Sequence, residues 1–454
     1  MRPYLVLCLL VASLNLTAQY DLGVHFMRGV WQSNYTNPAL LPDQRVVLSL
    51  PGLKNQFSFD NVTYNDLVVV QPDGTTVLDI DGVIDQLEPD NFIRNDLDVP
   101  TVGLAVRLGE GGMLQAGHRL RAGISTRISR DLLALIWRGN AQFIGQEINI
   151  GPDLFAQGYH EFYAGGAFTI GDFVTLGGRV KVLNGMGAVE SSRSNASLFT
   201  SDDVYQSTIT ADYQLNTTGL VRFDESADGD DVAFAEVQDV FTNNFGFGID
   251  LGLTADLGAI TLRASVLDLG SITWRDDVEN QIVAGTFTYE GIDVANQPNL
   301  DSLDLGTVVD SLDAFFDITT TNARFTTALP PRVFLSGTYQ ITRDLQLGGL
   351  LFGEVFRDRV FPALAVSANW DVAPFFSLGG IYSVRRNSYT NFGAHTALRL
   401  GPVQLVAATD NLLTIFRPDD SATAHVRVGL NLAFGRVEGN QRRTSGTNRE
   451  EDFF

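Results

Sequence analysis

The sequence predicts an all-β fold, namely a transmembrane up-and-down antiparallel β-barrel of about 14–18 strands with short helical inserts. The main observation is an alternation of apolar and polar residues over segments of about ten residues, the length that crosses a bilayer at a tilt of about 45°. Tight turns separate these segments, and the 44 glycines and 30 phenylalanines suit strands joined by such turns. Beyond the first residues, no apolar run is long enough for a membrane-spanning helix.

The first 18 residues predict a secretory signal peptide. Arg2 provides the basic start, residues 4–14 form a short apolar core, and Ala18 precedes a cleavage site at Gln19. The apolar core is shorter than the roughly 20 residues that span a bilayer, so cleavage is favoured over an N-terminal anchor. Cys8 is the only cysteine, and we therefore expect a mature chain without disulfides or thiol chemistry.

Four parts are expected along the chain. Residues 1–18 are the signal peptide, 19–44 an N-terminal segment and candidate hatch, 45–435 the outer-membrane barrel, and 436–454 a polar C-terminal tail. The formal net charge of −22 argues against nucleic acid as a partner, because phosphate binding needs a basic face. The expected location is the cell outer membrane. The expected partners are its lipid, the barrel-assembly machinery during biogenesis and, as a further candidate, secretion-system proteins.

The alternation is clearest in "FGFGIDLGLTADL" (245–257), where every second residue is apolar and the residues between are mostly glycine or polar. Turns such as "LGA", "ITRD" and "LGP" follow segments of this kind. A soluble β-sandwich also alternates, but its strands average only about 5–6 residues, so the membrane barrel is favoured. The sequence does not fix whether an odd or an even number of strands precedes the acidic insert 292–316. It therefore leaves open on which side of the membrane this insert lies.

The last predicted strand is "HVRVGLNLAFG" (425–435). We expect one face of this strand to meet lipid, with its terminal aromatic in a girdle at the membrane boundary. The predicted lipid-facing residues are Val426, Val428, Leu430, Leu432 and Phe434.

With the apolar residues facing lipid, the opposite faces of the strands predict a basic lumen. Its residues are Arg107, Arg119, Arg121, Arg127, Arg179, Lys181, Arg263, Arg385, Arg399 and Arg427. Two interpretations remain open. These cations either pair with neighbouring carboxylates or with a plug, for which the acidic insert 79–98 is a candidate, or they line a path that favours anionic groups.

Two acidic inserts, at residues 77–92 and 299–316, are predicted to be helical rather than extended, and the second has apolar residues at roughly helical spacing. No zinc-protease motif, nucleophile elbow or phosphate-binding loop occurs in the sequence. The expected protein is therefore not an enzyme and carries no cofactor and no metal.

Six segments carry a family resemblance: "GGRVKVLNGMGAV" (177–189), "GIDLGL" (248–253), "SVLDLGSITW" (265–274), "GTFTYEGID" (285–293), "VQLVAATDNLL" (403–413) and "VGLNLAFG" (428–435). In this order they resemble an uncharacterised family of Bacteroidota outer-membrane barrels, catalogued as a domain of unknown function. The resemblance implies an exported barrel and no known activity.

The element Asn37, Pro38 and Ala39 is similar to one near the N-terminus of fatty-acid-transporter-like barrels and of type IX secretion and gliding barrels. The resemblance implies a hatch inside the lumen, whereas the plain alternative is an Asn-Pro turn before the first strand. The leading hypothesis is a non-enzymatic, porin-like barrel with a transport or scaffold role. A component of secretion or gliding machinery and a lipid-acting barrel enzyme are the alternatives.

Overall fold

The computed structural model describes residues 21–437 apart from 60–61, 204–205, 220, 225–230, 235–240, 290–317, 358 and 386–387. The predicted signal peptide, nearly all of the C-terminal tail and the predicted helix at 299–316 therefore lie outside the described residues.

Fourteen strand positions form a closed antiparallel barrel. The barrel closes where β24 (Thr423–Arg436) pairs with both β1 (Gln44–Ser49) and β2 (Leu53–Phe59), which together form one interrupted position. On their other side, β1 and β2 pair with β5 (Asp90–Leu108). The predicted fold is confirmed, with the strand number at the lower end of the expected range.

From β5 onward, each barrel position pairs with the next along the chain. These strands are β6 (Gly112–Ser129), β8 (Asp153–Ile170), β9 (Val174–Thr200), β13 (Phe245–Asp256), β14 (Ile260–Trp274), β18 (Arg332–Gln340), β19 (Leu345–Phe356), β20 (Arg359–Ala373), β21 (Phe376–Arg385), β22 (Ser388–Leu400) and β23 (Val403–Thr409).

Further strands extend three of these positions beyond the barrel wall. The first is β10 (Ser207–Thr218), which comes before β13 in the chain. The second is β15 (Val278–Tyr289), which continues β14. The third position is extended by β16 (Thr319–Thr321) and β17 (Phe325–Ala328), which come before β18. The short β7 (Glu147–Asn149) pairs with the far end of β9. Two separate hairpins complete the described strands: β3 (Val68–Val70) with β4 (Thr76–Leu78), and β11 (Val221–Asp224) with β12 (Asp231–Phe234).

The two ends of the barrel differ. At the turn end, strands are joined by the short connections 109–111, 171–173, 257–259, 341–344, 374–375 and 401–402, and β1 begins and β24 ends there. At the opposite loop end lie the long connections 60–89 and 130–152. The ends of β15 and β16 that flank residues 290–317 also lie at the loop end, because β16 and β17 continue into β18 and add no separate position.

The loop end carries short helices. They are α2 (Tyr64–Leu67), α3 (Ile80–Gln86), α4 (Arg130–Arg138) and α5 (Leu413–Phe416), while α1 (Leu22–His25) lies before the first strand. Helix α3 agrees with the helix predicted in the insert 77–92. Among the described residues, no helix has the length and apolar character needed to cross a membrane.

The strands present apolar side chains outward and polar side chains inward. Phe247, Leu351 and Val366 on the outer face are 69%, 55% and 58% exposed, whereas Lys181 and Asp250 on the inner face are 1% and 0% exposed. Exposed aromatics near the turn end, including Phe173, Trp370 and Phe375, form part of a girdle. An apolar outer surface on a closed barrel requires lipid around it, so the chain is a membrane-embedded barrel.

Residues 21–43, named the plug below, fold into the lumen ahead of β1. Phe26, Trp31 and Asn37 are at most 1% exposed. The plug carries α1 and a 3₁₀ turn (Trp31–Tyr35), and its apolar side chains form the main cores with the wall. The suggestion that the acidic insert 79–98 is the plug is wrong, because this stretch forms α3 at the loop end and then runs into β5.

Candidate functional site

The candidate site is the lumen, which is divided into two parts. The plug fills the half toward the turn end. A cleft occupies the half toward the loop end and encloses about 620 Å³ of space, part of it open to solvent. Its lining comes from β2, β5, β6 and β8 on one wall and from β18 and β19 on the other, and includes Lys54, Arg94, Phe155, Arg332 and Glu354.

The loop-end side of the plug is held by two carboxylates. The backbone N–H groups of Leu22 and Gly23 donate to the carboxylate of Asp410, both at 2.9 Å. Asp21 accepts from Arg427 Nε at 2.7 Å and lies 3.0 Å from His425 Nε2. Burial alone would raise the pKa of the Asp21 carboxyl, but Arg427 and His425 hold this pKa well below its usual range.

The middle of the plug is anchored by a neutral histidine. His25 Nδ1 lies 2.9 Å from Thr36 Oγ1 and Nε2 lies 2.7 Å from Ser336 Oγ, while the ring stacks on Phe334 at a centroid distance of 5.2 Å. Burial, with the charge of Arg263 nearby, lowers the pKa of His25 to about 3. The ring therefore stays uncharged at ordinary pH and joins the plug to β18.

Three wall arginines donate to backbone carbonyls of the plug. Arg107 binds the carbonyl of Pro42 at 2.6 Å, Arg263 that of His25 at 3.2 Å and Arg399 that of Arg28 at 2.9 Å. These contacts satisfy carbonyls that no regular helix or strand pairs, which matters because unpaired buried carbonyls are costly.

The hatch-like element lies in the lumen. Asn37 Nδ2 donates to the carbonyls of Leu253 and Ala264 at 3.1 and 3.3 Å, and its Oδ1 accepts from the N–H of Ala39 at 2.9 Å. Pro38 and Ala39 lie against Gly177 and Gly252, where a Cβ on either glycine would overlap the backbone or ring of the element. Asn37 therefore bonds two wall strands, β13 and β14, which a turn before the first strand would not require.

The wall is shaped to the plug at other glycines as well. A Cβ at Gly348 would overlap the ring of Phe26, and one at Gly429 would overlap the side chain of Gln32. By contrast, a Cβ at the neighbouring Gly349 meets nothing within 4 Å. The inward glycines thus match the plug residue by residue, so the plugged lumen is a specifically built state.

An ion network lies where the plug meets the cleft. Arg119 pairs with Asp98 at 3.2 Å and with Glu161, while Arg427 reaches Asp98 at 3.5 Å. The ring of Tyr35, from the plug, lies 5.0 Å from the Arg119 guanidinium. This part of the network joins β24, β5, β6 and β8 to the plug.

The network continues across β9, β13, β14 and β18 through Asp268. This carboxylate meets Arg121 at 2.8 Å, Lys181 at 2.5 Å and Arg332 at 2.5 Å. Its N–H donates to Asp250 at 2.8 Å, and Asp250 pairs in turn with Arg179 and Lys181. Asp268 has φ +62°, beside a register shift between β13 and β14, and such a strained non-glycine residue persists only where its surroundings hold it.

The structure places all ten predicted lumen cations among partners of this kind. Arg107, Arg263 and Arg399 bind the plug as described. The other seven lie within 4 Å of carboxylates: Arg119, Arg121, Arg127, Arg179, Lys181, Arg385 and Arg427. Each of the ten cations therefore has a carboxylate or a plug carbonyl as a partner. The first of the two interpretations, pairing with carboxylates or with a plug, expects this arrangement, and these ten residues do not form a continuous row of unpaired cations.

In the last strand, Val428 and Phe434 are 44% and 49% exposed on the outer surface. Val426, Leu430 and Leu432 are partly exposed on the same face. The residues between them face the lumen, where Arg427 binds Asp21 and where Asn431 binds Gln32 of the plug at 2.9 Å.

The sequence reasoning missed the acidic partners Asp21, Asp98, Asp268 and Asp410, and the cation Lys54. A signal was present for two of them. Asp268 lies in the segment 265–274 and Asp410 in the segment 403–413, both of which carry the family resemblance. A single acid inside an apolar strand pattern, as in these segments, indicates an inward carboxylate with a partner.

Within the part of the chain that the structure describes, no group of three or more His, Cys, Asp or Glu side chains is placed to hold a metal ion. His118 Nε2 and His160 Nδ1 lie 3.0 Å apart, with Thr101 Oγ1 2.7 Å from His118 Nδ1. The two rings lie beside Phe162 on the outer side of β6 and β8.

Comparison with known proteins gives the following. Residues 38–410 match a family of unknown function (DUF5723), and no curated protein matches the chain. The toluene transporter TbuX of Ralstonia pickettii is 10% identical, with a TM-score of 0.42, over 92% of this chain and 99% of that chain. A FadL homologue of Pseudomonas aeruginosa is 11% identical, with a TM-score of 0.41, over 90% and 93%. The translocator domain of the autotransporter NalP from Neisseria meningitidis is 10% identical, with a TM-score of 0.31, over 86% and 89%.

Because the family match extends from the hatch-like element to Asp410, across most of the barrel, the chain belongs to the family of unknown function DUF5723.

Proposed function

We propose that the protein is a non-enzymatic transport barrel of the outer membrane that is closed at rest by its own plug. The observation that carries this proposal is the division of the lumen. A cleft that is open to solvent lies between the loop end and the plug, and the plug blocks the way from this cleft to the turn end. In this proposal the turn end faces the periplasm, the loop end faces outward, and the apolar outer face, including Val428 and Phe434, lies in lipid.

The contacts of the plug support a gate that moves as a unit. The loop-end side of the plug is held by hydrogen bonds to Asp410 and by an ion pair with Arg427. A charged solute that binds Asp410 or Arg427 would compete with the plug for these side chains, and a rearrangement of the loops would move them away from it. Its turn-end side is packed against glycines and is continuous with β1. A gate of this construction opens from the cleft side while it stays attached at the periplasmic side.

A second candidate function, a closed scaffold for surface-assembly machinery, is favoured by one observation. The wall is fitted to the plug at Gly177, Gly252, Gly348 and Gly429, as a permanently closed barrel would be. The two functions differ in whether ions ever cross the barrel.

Planar-bilayer conductance of the purified barrel separates them. The Ser265 hydroxyl on the wall donates to the Thr36 backbone carbonyl of the plug at 2.6 Å, so the two positions are neighbours. Cysteines at both positions can be joined through two disulfide bonds by a short bifunctional methanethiosulfonate, and this joined form, called oxidised below, tethers the plug to the wall. No other cysteine remains after signal cleavage. We expect brief openings in the wild type, their loss in the oxidised Thr36→Cys/Ser265→Cys variant, and their return on reduction.

Deletion of residues 21–36 provides the second arm of this experiment, with Thr36→Cys alone as the control for the substitution. The deletion variant is expected to conduct continuously, because it lacks the contacts to Asp410 and Arg427. A folded deletion variant that never conducts overturns the transport function and supports the scaffold. Openings that persist in the oxidised tether show that the plug is not the gate.

A further inference from the structure

The chain contains only two lysines, and both lie inside the barrel. Lys181 is saturated, with Asp250 at 2.6 Å, Asp268 at 2.5 Å and Glu161 at 3.6 Å from its Nζ. Lys54 is 6% exposed and lines the cleft, but its Nζ has no hydrogen bond or ion pair with any residue that the structure describes. The ammonium of a largely buried lysine that no carboxylate binds attracts an anion, so Lys54 points to an anion in the cleft.

The charges around Lys54 do not supply that anion. Asp21 and Asp96 attract it and Arg332 and Arg427 repel it. Asp21 is already bound by Arg427, and Asp96 by Arg94 at 2.8 Å. The lining cations Arg94, Arg121 and Arg332 are each paired with a carboxylate. Among the described residues, Lys54 is therefore the cation of the lining without a bound carboxylate.

The same cleft also offers an apolar surface. Phe155 and Phe356 meet edge to face at a centroid distance of 5.1 Å, and both line the cleft. Arg94 lies 4.8 Å from the centroid of Phe356, which holds this ring in place. An aromatic or aliphatic group buried against these rings gains from the removal of apolar surface from water.

We propose that the cleft binds a small organic carboxylate, whose charged group pairs with Lys54 and whose apolar body lies against Phe155 and Phe356. This inference rests on the proposed function only in making the ligand a transported solute. Binding is tested separately from conductance. A barrel that binds the ligand and never conducts loses the transport function and keeps the site.

A different role for Lys54 is that of an internal counter-charge. It lies directly opposite Asp98 on β5, and Asp98 Oδ1 and Gln56 Oε1 are buried without hydrogen-bond partners. A small rotation of Lys54 toward these oxygens would make the pairing structural. In that case its removal would change the stability of the barrel but would not change any binding.

The probe is phenylacetate, with the neutral phenylacetamide as its matched control, titrated calorimetrically into the folded barrel in detergent. We expect saturable binding of phenylacetate that is about 10- to 100-fold weaker for phenylacetamide and for Lys54→Met, because a charge-assisted contact is lost. Lys54→Arg is expected to retain binding. Equal binding of the two probes, or equal binding by Lys54→Met, overturns the proposal, as does the absence of phenylacetate binding.

A second measurement uses the wild type and avoids any effect on folding. Reductive methylation of the folded barrel, followed by mass spectrometry of the peptides, reports Lys54 and Lys181 separately. Phenylacetate is expected to slow the methylation of Lys54 and to leave Lys181 unchanged, while phenylacetamide protects neither. Methylation of Lys54 at the same rate with and without phenylacetate contradicts a ligand at this ammonium and supports the counter-charge.

Discussion

The two halves of the lumen contain the same residue types but differ in how their charged side chains are paired. In the plug half, Asp21 meets both Arg427 and His425, and wall arginines bind plug carbonyls. In the cleft half, Lys54 has no partner among the described residues, although it lies opposite Asp98. Charged groups that are paired hold one arrangement, whereas a cation without a bound carboxylate leaves a role for a ligand.

The difference shows that a polar barrel interior need not be a water-filled path. The paired cations of the plug half act as structure, because each lies within reach of a carboxylate or carbonyl. In the cleft half, by contrast, Lys54 faces open space without a carboxylate bound to it among the described residues. We therefore expect the function to depend on the boundary between the halves, where Asp21 and Tyr35 of the plug join Asp98 of the wall in the ion network.

The largest expected effect is at Asp21, which closes the plug half. Asp21→Ala leaves Arg427 buried with only Asp98 at 3.5 Å, and removal of one partner from a buried pair costs about 3–5 kcal/mol of unfolding free energy. Urea unfolding of the barrel in lipid vesicles measures this. Asp419→Ala, which removes an exposed carboxylate at the loop end, is the control and is expected to change stability by less than about 0.5 kcal/mol.

The comparison predicts a partial rescue of the same variant. Asp21→Ala combined with Arg427→Met is expected to cost less than the sum of the two single changes, because the unpaired charge is gone. A cost for Asp21→Ala no greater than for Asp419→Ala would show that the plug half is not held by its ion pairs.

A smaller effect is expected where the wall fits the plug. Gly348→Ala places a methyl group against Phe26 and is expected to cost about 1–3 kcal/mol, as overpacking does. Gly349→Ala, one residue away on the outer, lipid-facing side of β19, is expected to be close to neutral, since a Cβ there meets no protein atom within 4 Å. Both are measured by urea unfolding, and a single cysteine at Gln32 reports by maleimide labelling whether the plug has loosened. Equal costs at the two glycines would mean that the fit at Gly348 does not hold the plug.

The barrel was predictable from sequence because its cause is local. Alternation such as that in residues 245–257 determines which side chains face lipid, and the short turns between segments determine the pairing of neighbours. The structure has these turns at 171–173, 257–259 and 341–344. The inward positions of Arg179 and Arg427 follow from the same period of two.

The plug and the network were less predictable because they depend on contacts distant in sequence. Asp21 and Arg427 are 406 residues apart, and nothing local to either indicates the other. The similarity of residues 37–39 to a hatch element indicated the region but not the carboxylates that hold it. Asn431 illustrates the consequence. The alternation alone makes it an inward position open to water, whereas the plug buries it against Gln32.

The smallest expected effect lies in the cleft half, at Arg94 and Glu354. These side chains, 9% and 3% exposed, are about as buried as Arg427 and Asp21 at 2% and 6%, and they meet at 2.5 and 3.0 Å. Exposure alone would therefore predict equal coupling for the two pairs. Since the cleft brings water to one side of the first pair, we expect a coupling free energy of about 1 kcal/mol in a double-mutant cycle of Arg94→Gln and Glu354→Gln. It is expected to fall further in about 1 M salt, which screens charges beyond roughly 3 Å, whereas the coupling of Asp21 with Arg427 is expected to be larger and to change little. Equal, salt-independent couplings at the two pairs would remove the distinction between the halves, since the cleft would then behave as packed interior.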